Sequence, residues 1–379
     1  MANCKLLSFL LLCSVFLLLV VPHASTANLL QACNFDAIYQ LGDSISDTGN
    51  LVQEDPSSFC GRLPYGQNFF NNKPTGRCSN GLLMIDYIAL SAGVPLLNPY
   101  LINPNASDHN RGVNFAVAGS TALPADVLAR KRVLAPVTNS SLTIQLNWMS
   151  AHFNTTCDRD KCRHNKSLFM VGEIGGNDYN YALFQGKTVG EVKSMVPEVV
   201  QAIKTAVNKV IGYGATRVVV PGNFPIGCLP IYLTGFHTND SAAYDELHCL
   251  KGLNSLSVYH NEKLQQAIEE LQQEHQNAAV LLYGDYYNAY KWVLLKAAWL
   301  GFDLQSLQKA CCGIGGDYDF SFGRMCGVAG VAVCPKPQER ISWDGIHPTE
   351  KAYLYMARLL IRDMSQKFQC CAQTASSMI

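Results

Sequence analysis

A serine at a tight turn is the first residue of this sequence that could do chemistry. Ser44 follows an apolar run at residues 37–39 and the turn residue Gly42. The pattern predicts a strand that ends in a turn, with Ser44 at the start of a helix. Backbone N–H groups and the helix dipole favour negative charge at such a position. In an alternative interpretation Ser44 is only a helix cap, and Asp47 completes a Ser-x-x-Asp capping pattern.

A base for Ser44 stands near the carboxyl end of the sequence. A serine hydroxyl is a poor nucleophile unless a base takes its proton. His347 lies three residues after Asp344 and just before Pro348, on a turn that enters the last predicted helix. This spacing lets the Asp344 carboxylate fix the tautomer of His347 and leaves the other ring nitrogen for Ser44. The alternative is that Asp344 caps the helix and His347 is a packed histidine.

Acyl transfer also needs hydrogen-bond donors directed at a developing oxyanion. Gly119 ends one short apolar run, and Asn177 follows another such run at the Gly175-Gly176 turn. The backbone N–H groups of Ser44 and Gly119, together with the side-chain amide of Asn177, could supply three donors. Gly119 and Asn177 could also be ordinary turn residues.

The elements that would position these residues alternate along the chain. Short apolar runs predict strands, and longer segments with apolar residues three and four positions apart predict helices. This alternation predicts a parallel sheet with helices on both faces, in which ligands lie at the carboxyl ends of the strands. No linker or repeat stands out, so we expect one domain from about residue 34 to 369. The runs that predict strands are 37–39, 112–119, 167–174, 217–221 and 278–283, and the predicted helices are 82–92, 142–153, 192–211, 260–275, 289–300 and 349–368.

Four blocks of this sequence resemble the GDSL, or SGNH, hydrolase family in their residues and their order. The segments 309–313 and 343–350 resemble the plant GDSL esterase/lipase subfamily in particular. The four blocks are Gly42-Asp43-Ser44, Asn114-Phe115-Ala116 through Gly119, Gly175-Gly176-Asn177-Asp178, and Asp344-x-x-His347.

The resemblance implies a flavodoxin-like three-layer α/β/α sandwich with a parallel sheet. It also implies Ser44 as nucleophile, His347 as base and Asp344 as the residue that orients His347. Ser44, Gly119 and Asn177 would form the oxyanion hole, without a metal or a cofactor. The sequence lacks the Gly-x-Ser-x-Gly elbow of the ordinary α/β-hydrolases, and Ala118 stands where relatives often have a second glycine.

The function that the resemblance implies is that of a serine carboxylic ester hydrolase with a small-molecule substrate. Residues 39–50 are similar to plant members that deacetylate an indole alkaloid, so an acetylated specialised metabolite is the expected substrate. An acyltransferase with the same site, a broad-specificity lipase or cell-wall acetyl esterase, and a binding module without activity remain alternatives.

Composition and the amino terminus indicate a secreted protein. The chain has 379 residues, 48% of them hydrophobic, and a formal net charge of zero. The basic run at 130–132 is too short to indicate a nucleic-acid partner. Lys5, the apolar residues 6–21 and the small residues 25–27 predict a signal peptide at 1–27 and a hydrolase domain at 28–379. We expect the apoplast or the vacuole, a monomer, and no stable membrane insertion after cleavage.

Thirteen cysteines follow the predicted signal peptide, and in an oxidising compartment most of them should pair. The odd number leaves at least one that is free or paired between chains. Cys157 and Cys162 are the closest pair in sequence. Cys311 or Cys312 could pair with Cys326 or Cys334 and close the loop before the Asp344 motif. A zinc site is the rival interpretation, but no Cys-x-x-Cys with a matching histidine pair occurs.

Five Asn-x-Ser/Thr sequons make glycosylation a further expectation for a secreted chain. Three of them fall between residues 139 and 165, which predicts that this region is exposed. The candidate asparagines are Asn105, Asn139, Asn154, Asn165 and Asn239.

Overall fold

Five parallel strands form the centre of the computed structural model, which describes residues 28–103, 111–156, 164–276 and 278–370. In space the strands follow the order β2-β1-β3-β4-β5. Their residues are almost all buried, as expected for a sheet covered on both faces. The strands are β1 Ile38–Leu41, β2 Gly112–Asn114, β3 Leu168–Val171, β4 Arg217–Pro221 and β5 Val280–Gly284.

The register of the central strands places three predicted site loops at one edge of the sheet. Gln40 of β1 lies opposite Asn114 of β2 on one side and Met170 of β3 on the other. Because parallel strands share their carboxyl edge, the loops that follow β1, β2 and β3 meet there.

Helices pack in two groups on this sheet and give a three-layer α/β/α fold. One group contains the helices that begin at Leu142, Val189 and Lys251. The other contains the helices that begin at Met84, Tyr286 and Glu350. The α-helices of the described residues are α1 Asn50–Glu54, α2 Met84–Ala92, α3 Ala125–Arg130, α4 Leu142–Thr156, α5 Gly176–Phe184, α6 Val189–Gly212, α7 Pro230–Gly235, α8 Lys251–Glu274, α9 Tyr286–Leu295 and α10 Glu350–Lys367.

The predicted helix at 260–275 is too short, because α8 begins nine residues earlier, at Lys251. The stretch that the prediction missed buries the polar Asn254 and Ser257 beside Leu253 and Leu256, which interrupts the apolar pattern. Asn254 accepts a hydrogen bond from the Gly227 N–H at 2.9 Å, and Asn261 accepts one from the Asn223 N–H at 2.7 Å. These asparagines satisfy backbone groups of the loop after β4, which the sequence pattern could not reveal.

Disulfides close the loop before the Asp344 motif, as the sequence predicted. Ten cysteines are paired in the described residues, whereas Cys157, Cys162 and Cys371 lie outside them. Cys311 pairs with Cys334, and Cys312 pairs with Cys326. The other pairs are Cys33–Cys370, Cys60–Cys78 and Cys228–Cys249.

Several expectations concern the surface and the ends of the chain. The predicted signal peptide and Asn105 lie outside the described residues, whereas the other four sequon asparagines are exposed. In the part of the chain that the structure describes, no helix is long and apolar enough to cross a membrane. The same residues hold no cluster of histidine, cysteine or carboxylate side chains that could bind a metal ion.

Candidate active site

Ser44 lies in a turn and not at the start of a helix, which corrects the sequence prediction. Asp43 begins one helical turn, since its carbonyl accepts the Asp47 N–H at 2.9 Å and its carboxylate accepts the Ile45 N–H at 3.0 Å. The next helix, α1, begins only at Asn50. The cap of this turn is therefore Asp43, and the Ser44 side chain is left for another role.

Asp47 does not complete a capping pattern with Ser44, so that alternative is wrong as well. Its carboxylate accepts the N–H groups of Gly49 and Asn50, both at 2.7 Å, and that of Leu51 at 3.1 Å. A fourth hydrogen bond comes from the Ala118 N–H at 2.8 Å. Asp47 thus caps α1 and ties the Ser44 turn to the loop that carries Gly119.

The side chains of Ser44, His347 and Asp344 form one hydrogen-bonded chain. Ser44 Oγ lies 2.8 Å from Nε2 of His347, and Nδ1 of that ring lies 2.7 Å from Oδ2 of Asp344. All three residues are buried, and 8% of Ser44 is exposed. The structure therefore brings together a hydroxyl, an imidazole and a carboxylate in an order that can pass a proton from Ser44 to His347.

Asp344 has two further sets of donors that fix its orientation. Its Oδ1 accepts the backbone N–H groups of Ile346 and His347, at 2.9 and 2.8 Å. Its Oδ2 also accepts the hydroxyl of Tyr65 at 2.8 Å. Burial alone would raise the pKa of this carboxyl, but the charge that His347 can carry and its hydrogen bonds hold the pKa below the ordinary value.

Hydrogen bonds hold the loop that carries Asp344 and His347 to itself and to the disulfide-linked segment. The Ser342 hydroxyl accepts the Gly345 N–H at 3.1 Å, and the Trp343 N–H donates to the His347 carbonyl at 2.7 Å. The Cys312 N–H donates to the Trp343 carbonyl at 2.6 Å. These bonds fix the backbone on both sides of the acid.

Gly119 adopts a backbone conformation that side chains disfavour, with φ at +85°. Its carbonyl accepts the hydroxyl of Tyr181 at 2.7 Å. Among the described residues, neither the Gly119 N–H nor the Ser44 N–H has a hydrogen-bond acceptor. Both groups are therefore available to a bound ligand.

Asn177 lies in the first turn of α5 and not in an irregular turn, and its amide already has acceptors. Nδ2 donates to Asp43 Oδ2 at 3.1 Å and to the Ser120 carbonyl at 2.9 Å. Its Oδ1 accepts an amide hydrogen of Asn180 at 3.2 Å. Asn177 is thus held beside the residue that precedes Ser44, but an incoming oxyanion has to share Nδ2 with one of these acceptors.

Comparison with known proteins decides the family. A family model described as GDSL-like Lipase/Acylhydrolase matches residues 38–360. Acetylajmalan esterase 2 of Rauvolfia serpentina is 44% identical over 363 residues, which cover 94% of this chain and 97% of the relative. This chain belongs to the GDSL lipase/acylhydrolase family. Acetylajmalan esterase 1 of the same plant is 44% identical over 89% of each chain. A GDSL esterase/lipase of Arabidopsis thaliana is 41% identical over 98% of this chain and 99% of the relative.

Family membership makes the chain a serine ester hydrolase of the GDSL type.

Two open cavities on its surface, of about 460 and 330 Å³, are lined by other residues than those of the Ser44 site. The first lies beside Lys193 and Tyr259, and the second beside Leu294 and Leu307.

This GDSL hydrolase buries a pair of carboxyl groups next to its serine. Asp43 and Glu173 are both buried and hydrogen-bonded to each other. Burial raises the pKa of Asp43 to about 6. Burial and the neighbouring charge of Asp43 raise the pKa of Glu173 well above its ordinary range. A hydrogen bond between two carboxyl groups needs a proton on one of them, and none of the ion pairs found among the described residues involves either group.

The sequence analysis missed three residues that shape the site of this GDSL hydrolase. Tyr65 donates to Asp344, and Glu173 contacts Asp43. Gln145 of α4 pairs with both backbone groups of Gly42, at 2.9 and 2.8 Å. Glu173 left a signal, because it is the only charged residue in the apolar run 167–174. Tyr65 and Gln145 left none, because their partners are far away in sequence.

Proposed function

We propose that this GDSL hydrolase forms an acyl-enzyme on Ser44 and deacetylates a small specialised metabolite in the secretory pathway. The observation that carries the proposal is the continuous hydrogen-bonded chain from Ser44 through His347 to Asp344. In this proposal residues 28–379 are one hydrolase domain and the protein acts as a monomer.

The first step is the attack of Ser44 Oγ on the ester carbonyl carbon. His347 Nε2 takes the hydroxyl proton as the new C–O bond forms, and Asp344 stabilises the imidazolium. Tyr65 and the two N–H groups keep the Asp344 carboxylate ionised and aligned with Nδ1. The carbonyl oxygen becomes an oxyanion.

The oxyanion needs donors that are already in place before the reaction. The Ser44 and Gly119 N–H groups fit that need, since they have no acceptor among the described residues. Asn177 is the third donor of the proposal. For this role, one Nδ2 hydrogen of Asn177 moves from the Ser120 carbonyl or from Asp43 to the oxyanion.

The tetrahedral intermediate collapses when His347 gives its proton to the leaving alcohol oxygen, which breaks the ester C–O bond. Water then attacks the acyl carbon of the acyl-enzyme, and His347 again takes the proton as base. The bond to Ser44 Oγ breaks and the free acid is released. His347 must therefore reach the leaving oxygen as well as Ser44, so the alcohol part of the ester lies on its side of the site.

The named relatives support an ester as the substrate. The two acetylajmalan esterases are 44% identical to this chain and the Arabidopsis GDSL esterase/lipase 41%. The names of the first two relatives support an acetyl ester of a specialised metabolite as the substrate. The five disulfides found among the described residues support a secretory location, since disulfides persist in oxidising compartments.

The proposal is tested by Ser44→Ala, with Ser46→Ala as a matched control. Ser46 has a buried hydroxyl without a hydrogen-bond partner among the described residues. We expect Ser44→Ala to abolish release of p-nitrophenol from its acetate ester and labelling by a fluorophosphonate probe, whereas Ser46→Ala keeps both. Full activity of Ser44→Ala would refute the proposal. With an acceptor alcohol present, free acid as the main product supports a hydrolase, and a new ester would show a transferase.

A further inference from the structure

Five aromatic rings form a cluster beside the Ser44 site that the proposed mechanism does not use. Phe184 is its centre, with ring centroids 5.2 Å from Tyr232, 5.6 Å from Phe236 and 5.4 Å from Phe322. The ring of Phe320 lies 5.2 Å from that of Phe322. Tyr232 and Phe320 are buried, but 36% of Phe184 and 50% of Phe322 are exposed. The aromatic cluster therefore presents two neighbouring rings to solvent, and contiguous exposed apolar surface of this kind is typical of ligand-binding grooves.

One side of the aromatic cluster supports the loop of His347. Phe320 packs against Gly345, so closely that a Cβ on Gly345 would lie 2.3 Å from the ring. Gly345 stands between Asp344 and His347, and its carbonyl accepts the Ile231 N–H at 3.0 Å. Ile231 precedes Tyr232 in α7, so two members of the cluster are tied to this loop.

The other side of the aromatic cluster continues the helix that carries Asn177. Asn177, Tyr181 and Phe184 follow one another at spacings of four and three residues in α5, so they lie along one helix face. Seven residues span about 10 Å of helix. Asn180 links Asn177 to the aromatic cluster, because it donates a hydrogen bond to Asn177 and accepts one from the hydroxyl of Tyr232. Phe184, one of the two exposed rings, therefore stands about 10 Å along the helix from the proposed oxyanion donor Asn177.

The position of His347 decides which part of an ester meets the rings. His347 must protonate the leaving alcohol oxygen, so the alcohol lies on the side of its loop. Phe320 packs against that loop at Gly345. We infer that the aromatic cluster binds the alcohol moiety of the substrate and that this moiety is a flat, aromatic-bearing ring system. The inference rests on the proposed esterase function and names its substrate class.

Aromatic rings select such a moiety through their shape and their charge distribution. A flat aromatic group stacks against or meets the edge of an exposed Phe ring and gains more than its buried area alone would give. The Cys312–Cys326 disulfide closes the segment that carries Phe320 and Phe322, so the surface is held in place before the ligand arrives. A long, flexible acyl chain would gain only the burial of its apolar surface here and would lose conformational freedom on binding.

The test compares acetate esters that differ only in their alcohol. Tryptophol and cyclohexylethanol are both primary alcohols, so their acetates have similar chemical reactivity, but only tryptophol is flat and aromatic. We expect Phe184→Ala and Phe322→Ala each to raise KM for tryptophol acetate about tenfold, as for the loss of one ring contact. Each of these variants should change the KM for ethyl acetate by less than about twofold. The KM for cyclohexylethanol acetate should rise less than the KM for tryptophol acetate. Phe322→Trp should keep the wild-type KM.

Trp299→Ala is the matched control, because Trp299 is 71% exposed and its ring partner is Trp292, outside the cluster. We expect it to leave all three esters unchanged. Equal losses on ethyl acetate and tryptophol acetate would overturn the inference, since they would show a structural role for the rings. If Phe184→Ala and Phe322→Ala instead raised the KM for the ethyl ester of indolepropionic acid, in which the aromatic group is in the acyl part, the cluster would not be the site of the alcohol moiety. Failure of the wild-type protein to hydrolyse any ester, without fluorophosphonate labelling of Ser44, would refute the proposed function itself.

Discussion

Asp43 and Glu173 are hydrogen-bonded carboxyl groups, buried side by side, and Asp43 also holds the amide of Asn177 at 3.1 Å. Two ionised carboxylates in contact would repel each other in a medium of low dielectric constant. One retained proton removes that repulsion and leaves a single negative charge beside the proposed oxyanion hole. Asp47, Asp178 and His347 act electrostatically on the pair. Its charge also acts on the tyrosines Tyr179, Tyr181, Tyr232, Tyr286 and Tyr353.

Loss of the shared proton should slow the enzyme at alkaline pH. Burial and the neighbouring charge of Asp43 raise the pKa of Glu173 well above its ordinary range, so the shared proton leaves only as the pH rises. The second negative charge then opposes the oxyanion. We expect kcat for p-nitrophenyl acetate to fall on the alkaline side in the wild-type protein. In Glu173→Gln, which keeps a donor for Asp43 but cannot ionise, this alkaline fall should disappear.

Glu173→Asp is the control for that experiment, because it keeps a carboxyl group. Its alkaline fall should persist, although the pH at which it occurs changes. An alkaline fall of the same size and position in Glu173→Gln would show that another group titrates. The melting temperature of each variant, measured across the same pH range, separates unfolding from a change in kcat.

Activity should also fall as the pH drops and His347 becomes protonated. A protonated ring cannot accept the Ser44 proton, so kcat/KM should fall about tenfold per pH unit on the acid side. A rate that rose steadily on acidification would contradict the role of His347 as base. The measurement is the pH profile of kcat/KM over the range in which circular dichroism shows a folded protein.

Tyr65→Phe should lower kcat without unfolding the protein. The hydroxyl of Tyr65 donates to Asp344 Oδ2 at 2.8 Å, and a hydrogen bond to a charged group is worth enough to change kcat by roughly tenfold. Tyr353→Phe is a matched control, because the buried hydroxyl of Tyr353 has no hydrogen-bond partner among the described residues. Equal activity of the two variants would show that Tyr65 does not position Asp344.

Sequence patterns predicted the parts of this protein that depend on local chemistry. The parallel strands follow from buried apolar runs, and the fold class and family are confirmed. The structure places Ser44, Asp344 and His347 in contact, as their motifs indicated. Their catalytic roles remain a proposal.

The remaining features depend on pairing between distant segments. Tyr65 reaches Asp344 across 279 positions, and no periodicity marks a tyrosine in an irregular loop. The helix start predicted at Ser44 was wrong because Asp43 and Asp47 take over the capping, and Asp47 also binds the Ala118 N–H, 71 positions away. Such contacts decide where a helix begins, but a local pattern cannot show them.

Gly119→Ala should disturb both the stability and the chemistry of the site. The residue has φ at +85°, and a Cβ there would lie 2.5 Å from Cγ1 of Val137. The backbone strain costs about 1–2 kcal/mol of unfolding free energy. Relief of the clash would displace the N–H, and loss of one oxyanion donor lowers kcat by about 100-fold. Urea unfolding and the kinetics of p-nitrophenyl acetate hydrolysis measure the two effects.

Gly186→Ala separates the strain from the clash, because Gly186 has φ at +91° and a Cβ added there would meet no neighbouring atom within 4 Å. We expect a similar loss of unfolding free energy and wild-type kcat. Val137→Gly in the Gly119→Ala background removes the clashing Val137 side chain and should restore part of kcat. If Gly119→Ala instead kept wild-type kcat with lowered stability, the Gly119 N–H would not be an oxyanion donor, and the proposed site would rest on Ser44 and Asn177 alone.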